Sequence, residues 1–251
     1  MRKVFIAVRS EIERHGWHHP MLTEWLLSLR WEVDFQTDIR LIHGLTGYAA
    51  PSNRAAMDFM TTDCEWFCLV DNDVIPPLNM LHILDTVPTD AAIIGPVCHG
   101  GREDTIFPQA GVLIGENFTP VTGMPDLYEV MQVGGGCWFV HRDVFKKMEI
   151  PYFKLTFDPL TFAMTESDDI YFQRRARELG FRLFCDSHFI CSHFHSLDLS
   201  LDLKRMGTSE SRDEKEAKSS KYLKARSEAL GKKIQEMFAA LVQTHGESKC
   251  L

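Results

Sequence analysis

Residues 65–77 read EWFCLVDNDVIPP. Five apolar side chains in a row, Trp66 to Val70, run straight into Asp71-Asn72-Asp73 and then Pro76-Pro77. A short apolar run bounded by turn residues is the pattern of a strand buried on both faces. Proline cannot continue a ladder, so the strand must stop where the acids stand. Open α/β sheets bind their ligands at the carboxyl ends of strands, and the two carboxylates lie at such an end. Alternate residues of an extended segment point the same way, so Asp71 and Asp73 can reach one side. Two hard oxygen donors suit Mg²⁺ or Mn²⁺, ions that also bridge a diphosphate. A solvated turn or a helix cap uses the same residue types, so the setting rather than the bare D-x-D carries the reading.

The flanks repeat the strand-and-helix alternation. VFIAV (4–8) is a second buried run, and Leu22, Trp25, Leu26 and Leu29 recur at helical spacing. WEVDFQ (31–36) alternates like a strand, Gly44, Gly47 and Pro51 mark a loop, and Asn53 to Met60 reads as a helix. After the acids, Met80 to Leu84 reads as a helix and AAIIGPV (91–97) as a strand. This order predicts an α/β fold with a mostly parallel central sheet.

The second half brings short strands at 110–114 and 127–133, the run Gly134-Gly135-Gly136, the apolar CWFV (137–140) and a helix from Asp143. Thr165 to Leu179 reads as a helix stopped by Gly180. RLFCD (182–186) and FICSHF (189–194) close the core. Past about residue 200 the chain turns to Lys, Arg, Glu, Ser and Ala, with Leu223, Leu230, Ile234, Phe238 and Leu241 at helical spacing. The expectation is one domain over 1–200, then a mobile segment and an amphipathic helix over 201–251. That helix offers an apolar face for docking or self-association.

Composition bounds the function. The 251 residues suffice for one or two domains at ~150 each. Acids outnumber bases by 35 to 27, which excludes a basic whole-surface footprint for nucleic acid. Seven cysteines without framework spacing, most of them in apolar runs, predict reduced buried thiols and a cytoplasmic protein. No stretch reaches the ~18 apolar residues of a membrane span, and MRKVFIAVRS has too few for a signal peptide.

Three more clusters bear chemistry. Thr165, Glu166, Asp168 and Asp169 gather at a predicted helix start. A cap needs one or two such groups, so the surplus is notable, and Glu166 and Asp169 share a face. A carboxyl beside other carboxylates holds its proton more tightly, which suits a general base. His193 and His195 alternate to one side at a strand end, where either could join a metal. Gly134-Gly135-Gly136 lets the backbone approach a ligand, and Trp138 either stacks on a sugar or base or fills the core. Neither a G-x-G-x-x-G nor a P-loop is present.

In this order the pieces resemble the GT-A glycosyltransferases, in particular family 2-like enzymes of bacteria and phages, from residue 3 to about 195. FMTTDCEWFCLVDNDVIPP (59–77) resembles the family's D-x-D strand, GGGCWFVHRDVFKKM (134–148) its acceptor-side strand and helix, and DDIYFQRRARELGFRLFCD (168–186) the stretch carrying its base. The resemblance implies a Rossmann-like GT-A sheet flanked by helices, with a C-terminal helical extension. It implies a nucleoside diphosphate sugar donor and a hydroxyl acceptor on a glycan, a small molecule or a modified nucleobase. Mn²⁺ or Mg²⁺ would lie on Asp71, Asp73 and His193 (with His195 the rival), and the donor would also meet Arg9, Asn53, Arg54, Asp71 and Asn72. The base would be Asp169 or Asp168, or in a shifted register the acidic pair is Glu166 and Asp169. Gly135, Gly136 and Trp138 would face the acceptor, and Lys204 and Arg205 would close over the diphosphate. The family's Arg-Asn pair aligns with Ser52-Asn53, with Arg54 one place late. Transfer would be inverting. A DNA-base glycosylating enzyme, a nucleotidyltransferase and a non-catalytic sugar- or nucleotide-binding module share enough of these features to stand as alternatives.

Overall fold

The structure, a computed structural model, describes residues 1–10, 20–45, 47, 49–102, 105–114, 117–120 and 126–193. These belong to the unit Met1–His195. The predicted C-terminal helix, the boundary near 200, His195, Lys204 and Arg205 lie outside the described residues.

In chain order the strands are β1 (Arg2–Arg9), β2 (Phe35–Ile42), β3 (Trp66–Asp71), β4 (Val74–Ile75), β5 (Ala91–Arg102), β6 (Thr105–Pro108), β7 (Gly111–Ile114), β8 (Asn117–Pro120), β9 (Leu127–Glu129), β10 (Cys137–His141), β11 (Thr156–Phe157), β12 (Met164–Glu166) and β13 (Arg182–His193). The α-helices are α1 (Pro20–Ser28), α2 (Ala49–Met60), α3 (Arg142–Lys147) and α4 (Asp168–Glu178). The main sheet runs β2-β1-β3-β10-β5-β13-β4, with β6 on β5 and β9 on β13. β1 lies parallel to β2 and β3, and β13 parallel to β5. β10 is inserted antiparallel between β3 and β5.

Strand alternation divides the core into two layers. Phe5, Ala7, Phe67 and Leu69 face α2, α3 and α4, packing with Phe59, Phe145 and Phe172. Val4, Ile6, Val8, Cys68 and Val70 face α1 and the 3-10 segment at Met80–Asp85, packing with Leu22, Trp25 and Met80. Residues buried on both faces make each of these strands a continuous apolar run. Cys64, Cys68, Cys98, Cys137, Cys185 and Cys191 are free and buried. Among the described residues no helix is long and apolar enough to cross a membrane.

Several boundaries differ from expectation. Of the stretch at 31–36 only Phe35 and Gln36 are strand: Leu29–Trp31 form one 3-10 turn, and β2 begins at Phe35, opposite Arg2. The alternation there is carried by Trp31 and Val33, which face solvent. α2 starts four residues early, with Pro51 in its first turn where a missing N–H is tolerated. Met80–Asp85 is 3-10 rather than α. Of the predicted strand at 127–133, Leu127–Glu129 pair as β9, and Gln132 makes a single antiparallel bridge to Gly111. The two closing strands are one, β13, whose register slips between Asp186 and Ile190. The helix expected from Thr165 starts at Asp168, because Met164–Glu166 pair with Thr156–Phe157 as a hairpin. The Thr165 hydroxyl bonds Thr156 at 2.8 Å across this hairpin, so Thr165 does not cap α4.

Candidate active site

Four chain segments meet at the carboxyl-end edge of β1 and β3. Arg9 closes β1 directly opposite Asp71, the last residue of β3. The Asp71 amide donates to the Gly136 carbonyl at 2.9 Å, and the Asn72 amide to the Arg9 carbonyl at 3.1 Å. The Asn72 side chain lies 3.4 Å from the Ser10 hydroxyl. The chain then turns, and β4 pairs antiparallel with the end of β13, His193 opposite Val74. This brings His193 Nε2 to 3.5 Å from Asp73 Oδ2.

The ring state of His193 follows from its other contact. Nδ1 lies 2.8 Å from the His99 carbonyl, which can only accept, so Nδ1 carries a hydrogen. In the neutral ring Nε2 therefore presents a lone pair toward Asp73, the orientation of a metal-binding imidazole. Burial disfavours the His193 charge. The Asp73 hydrogen bond, the His99 carbonyl and the charges of Asp73 and Asp71 outweigh it and hold the pKa above the ordinary value.

Behind this edge lies a buried charge network. The Arg9 guanidinium meets both oxygens of Asp71 through Nε and Nη2. Its Nη1 donates to Ser52 Oγ at 2.7 Å and to Asp168 Oδ2 at 2.9 Å, and Ser52 donates to the same Asp168 oxygen at 2.9 Å. Burial opposes the charge of Arg9, but the charges of Asp71 and Asp168 prevail and keep it protonated. Burial pushes Asp71 up to about 6, against the downward pull of Arg9.

Asp169, the next residue of α4, is only half-buried. Ser167 Oγ donates to its Oδ1. A Cβ on Gly135 would come within 2.2 Å of its Oδ2, and one on Gly136 within 2.7 Å of Val74 and 3.9 Å of Asp71 Oδ2. The glycine backbone thus lies against both carboxylates, and a side chain at 135 would displace Asp169. Burial raises the Asp169 pKa, and the Asp168 charge adds to the rise, against Ser167 and Arg9.

The structure brings together Arg9, Asp71, Asn72, Asp73, His193, Gly135, Gly136, Asp168 and Asp169. Within this group Arg9 and Asp168 face inward, and the remaining candidates lie apart. Arg9 is turned inward onto side chains instead of toward a nucleotide. Asp168 is fully committed to Arg9 and Ser52. Glu166 is gripped by Arg174 at 2.7 and 3.1 Å, which lowers its pKa. Arg54 is exposed and paired with Asp58. Asn53 pins a loop, with Nδ2 donating to the Phe153 carbonyl at 2.7 Å and Oδ1 accepting from the Phe153 amide at 3.1 Å. Trp138 is wholly buried against Phe153 and Phe172, so the core reading holds and stacking on a ligand does not. Sequence reading missed Ser52, Ser167 and the His99 carbonyl. Ser52 carried a signal as the neighbour of Asn53 in the pair singled out from the sequence, and the guanidinium reaching it comes from β1.

The side chains at this edge suit a divalent ion only as an open site. Among the described residues, no group of three or more acid, histidine or cysteine side chains converges as a closed metal site. Asp73 and His193 offer an oxygen and a nitrogen side by side at an open strand end, while Arg9 holds Asp71. Mg²⁺-like ions commonly take one or two protein ligands and complete their shell with substrate phosphates and water, so the pair fits such an ion.

No family model matches the chain, and no curated protein does. Among solved structures it is similar to A197 from STIV, with TM-score 0.53 and 16% identity over 78% of this chain and 87% of that one. It is also similar to GalNAc-T7, solved with UDP, GalNAc and Mn²⁺, with TM-score 0.53 and 10% identity over 78% of this chain. The chain spans 44% of the GalNAc-T7 chain. At these identities the likeness shows the fold, a GT-A, Rossmann-like α/β fold.

Proposed function

We propose that this protein is a metal-dependent glycosyltransferase that moves a sugar from a nucleoside diphosphate sugar to a hydroxyl acceptor with inversion. The observation that carries the reading is the placement of Asp169. A half-buried carboxylate with a raised pKa lies against the Gly135 backbone, on the edge that also holds Asp71, Asp73 and His193. A base, a diphosphate-side acid pair and a histidine on one edge are what such a transfer needs.

In this reading Asp73 and His193 would hold the ion, with Asp71 close by. When bound, the ion would offset the negative charge that develops on the leaving diphosphate. The residues of the chain do the rest. Ser167 fixes the plane of the Asp169 carboxylate through Oδ1. Asp169 accepts the acceptor hydroxyl proton as that oxygen attacks the anomeric carbon, and the bond to the diphosphate breaks on the opposite face. Arg9 positions the site, tying Asp71 to the start of α4 through Asp168. Gly135 and Gly136 keep the acceptor side free of Cβ atoms.

The likeness to a structure holding UDP and Mn²⁺ supports starting with uridine nucleotides. A thermal-shift screen of nucleoside diphosphate sugars with and without Mn²⁺ tests the reading. It predicts a Mn²⁺-dependent rise in Tm with one donor class. Release of a nucleoside diphosphate supports sugar transfer, whereas release of inorganic pyrophosphate marks a nucleotidyltransferase. Binding without turnover toward any hydroxyl acceptor marks a binding module.

A further inference from the structure

The hairpin of β11 and β12 is absorbed by neither the fold core nor the candidate site. Its outward side chains are apolar. Leu160 is 86% exposed, Phe162 79%, Met164 58% and Phe157 54%. Phe157 and Met164 pair across the hairpin, and Leu160 and Phe162 form its tip. No charged residue lies between Leu160 and Met164.

The tip is built, not loose. The Asp158 carboxylate accepts from the Leu160 amide at 2.9 Å, the Thr161 amide at 2.7 Å and the Thr161 hydroxyl at 3.0 Å. The Phe162 amide donates to the Asp158 carbonyl at 2.9 Å, and the Asp158 amide to the Ala163 carbonyl at 2.8 Å. The Ala163 amide donates to the Thr161 hydroxyl at 3.3 Å. Pro159 has no amide hydrogen, so every backbone donor from 158 to 163 is satisfied within the loop. Phe162 holds φ at +57°, a strained region for an aromatic residue, and does so while its ring faces solvent.

We infer that this hairpin tip docks the protein onto a lipid bilayer, inserting Leu160 and Phe162 at the interface. A medium poor in hydrogen-bonding partners penalises every unpaired backbone group, and the donors of this loop are already paired, so the tip suits the headgroup boundary rather than the hydrocarbon core. A protein partner fits less well. Four such side chains offer on the order of 500 Å² of apolar surface. A stable protein interface takes about 800 Å² from each side, more than this tip offers. The ionised Asp158, half-buried at the hairpin neck, limits entry to the headgroup boundary. Phe162 stands seven residues before Asp169, so the docked tip holds the candidate site within roughly 25 Å of the membrane surface.

Flotation of the full chain with phosphatidylcholine vesicles tests this. The wild type should float with the vesicles, with little change when salt is raised, since the contact is apolar. The double variant Leu160→Ser, Phe162→Ser should lose at least tenfold in partitioning with an unchanged Tm. Val33→Ser, a change at an equally exposed apolar residue elsewhere, should bind like the wild type. A wild type that does not float, or a double variant that floats equally well, overturns the proposal. So does a dimer in sedimentation velocity that the double variant dissolves, because the patch then serves self-association. Mn²⁺-dependent nucleotide binding is measured on the same variants, so the fate of the transferase reading is scored separately.

Discussion

Asp169 is distinguished from its neighbour by what each carboxylate touches. Asp168 is closed in by Arg9 and Ser52, while Asp169 is held by one serine and a glycine backbone. Asp169→Asn keeps the shape and removes the base. It should lower kcat by about 10²- to 10⁴-fold while leaving nucleotide affinity with Mn²⁺ nearly unchanged, as titration calorimetry beside a turnover assay would reveal. The pH profile follows from the same residue. A base works ionised, and burial raises the pKa of this one, so kcat/KM should fall as pH drops through that raised value. The acidic limb should change in the residual activity of Asp169→Asn, which keeps only the fall set by Asp71, pushed up to about 6. An unchanged limb would move the base elsewhere. Gly135→Ala places a Cβ where Asp169 Oδ2 stands, so turnover should fall about tenfold or more with little change in Tm.

At the scale of elements, α4 is tied to β1 and β3 through one guanidinium. Arg9→Leu leaves Asp71 and Asp168 without their cation. Breaking such a buried pair typically costs about 3–5 kcal/mol, and Ser52→Ala should cost about 1–2 kcal/mol in urea unfolding. Equal stability of Arg9→Leu and wild type would show that the network does not anchor α4. The same network explains what could be read from sequence. β1, β3, β10 and the first half of β13 were visible because burial on both faces writes an unbroken apolar run. The D-x-D at the end of β3 was visible for the same reason. The inward turn of Arg9 was not, because it depends on partners 43 to 159 positions away. Nor was the β11–β12 hairpin, since its exposed apolar residues carry no alternation. Thr165 and Glu166 look like the start of α4 by composition, yet they pair as strand.

Over the whole molecule, the excess of acids is partly gathered at one sheet edge. Asp71, Asp73 and Asp169 project there from a strand end, the turn that follows it and a helix start. An acidic protein with this edge can still take a phosphate-bearing substrate, because a cation can stand between like charges. The same edge receives the end of β13, the last described strand, so His193 reaches Asp73 only when the sheet is complete. The most direct measurement is turnover of the donor found in the screen, with Mn²⁺ and after its removal by a chelator, for wild type and Asp73→Ala. The account predicts nucleoside diphosphate release that the chelator abolishes in the wild type, that added Mn²⁺ restores, and that Asp73→Ala lacks throughout. Full, chelator-resistant activity in Asp73→Ala would contradict it.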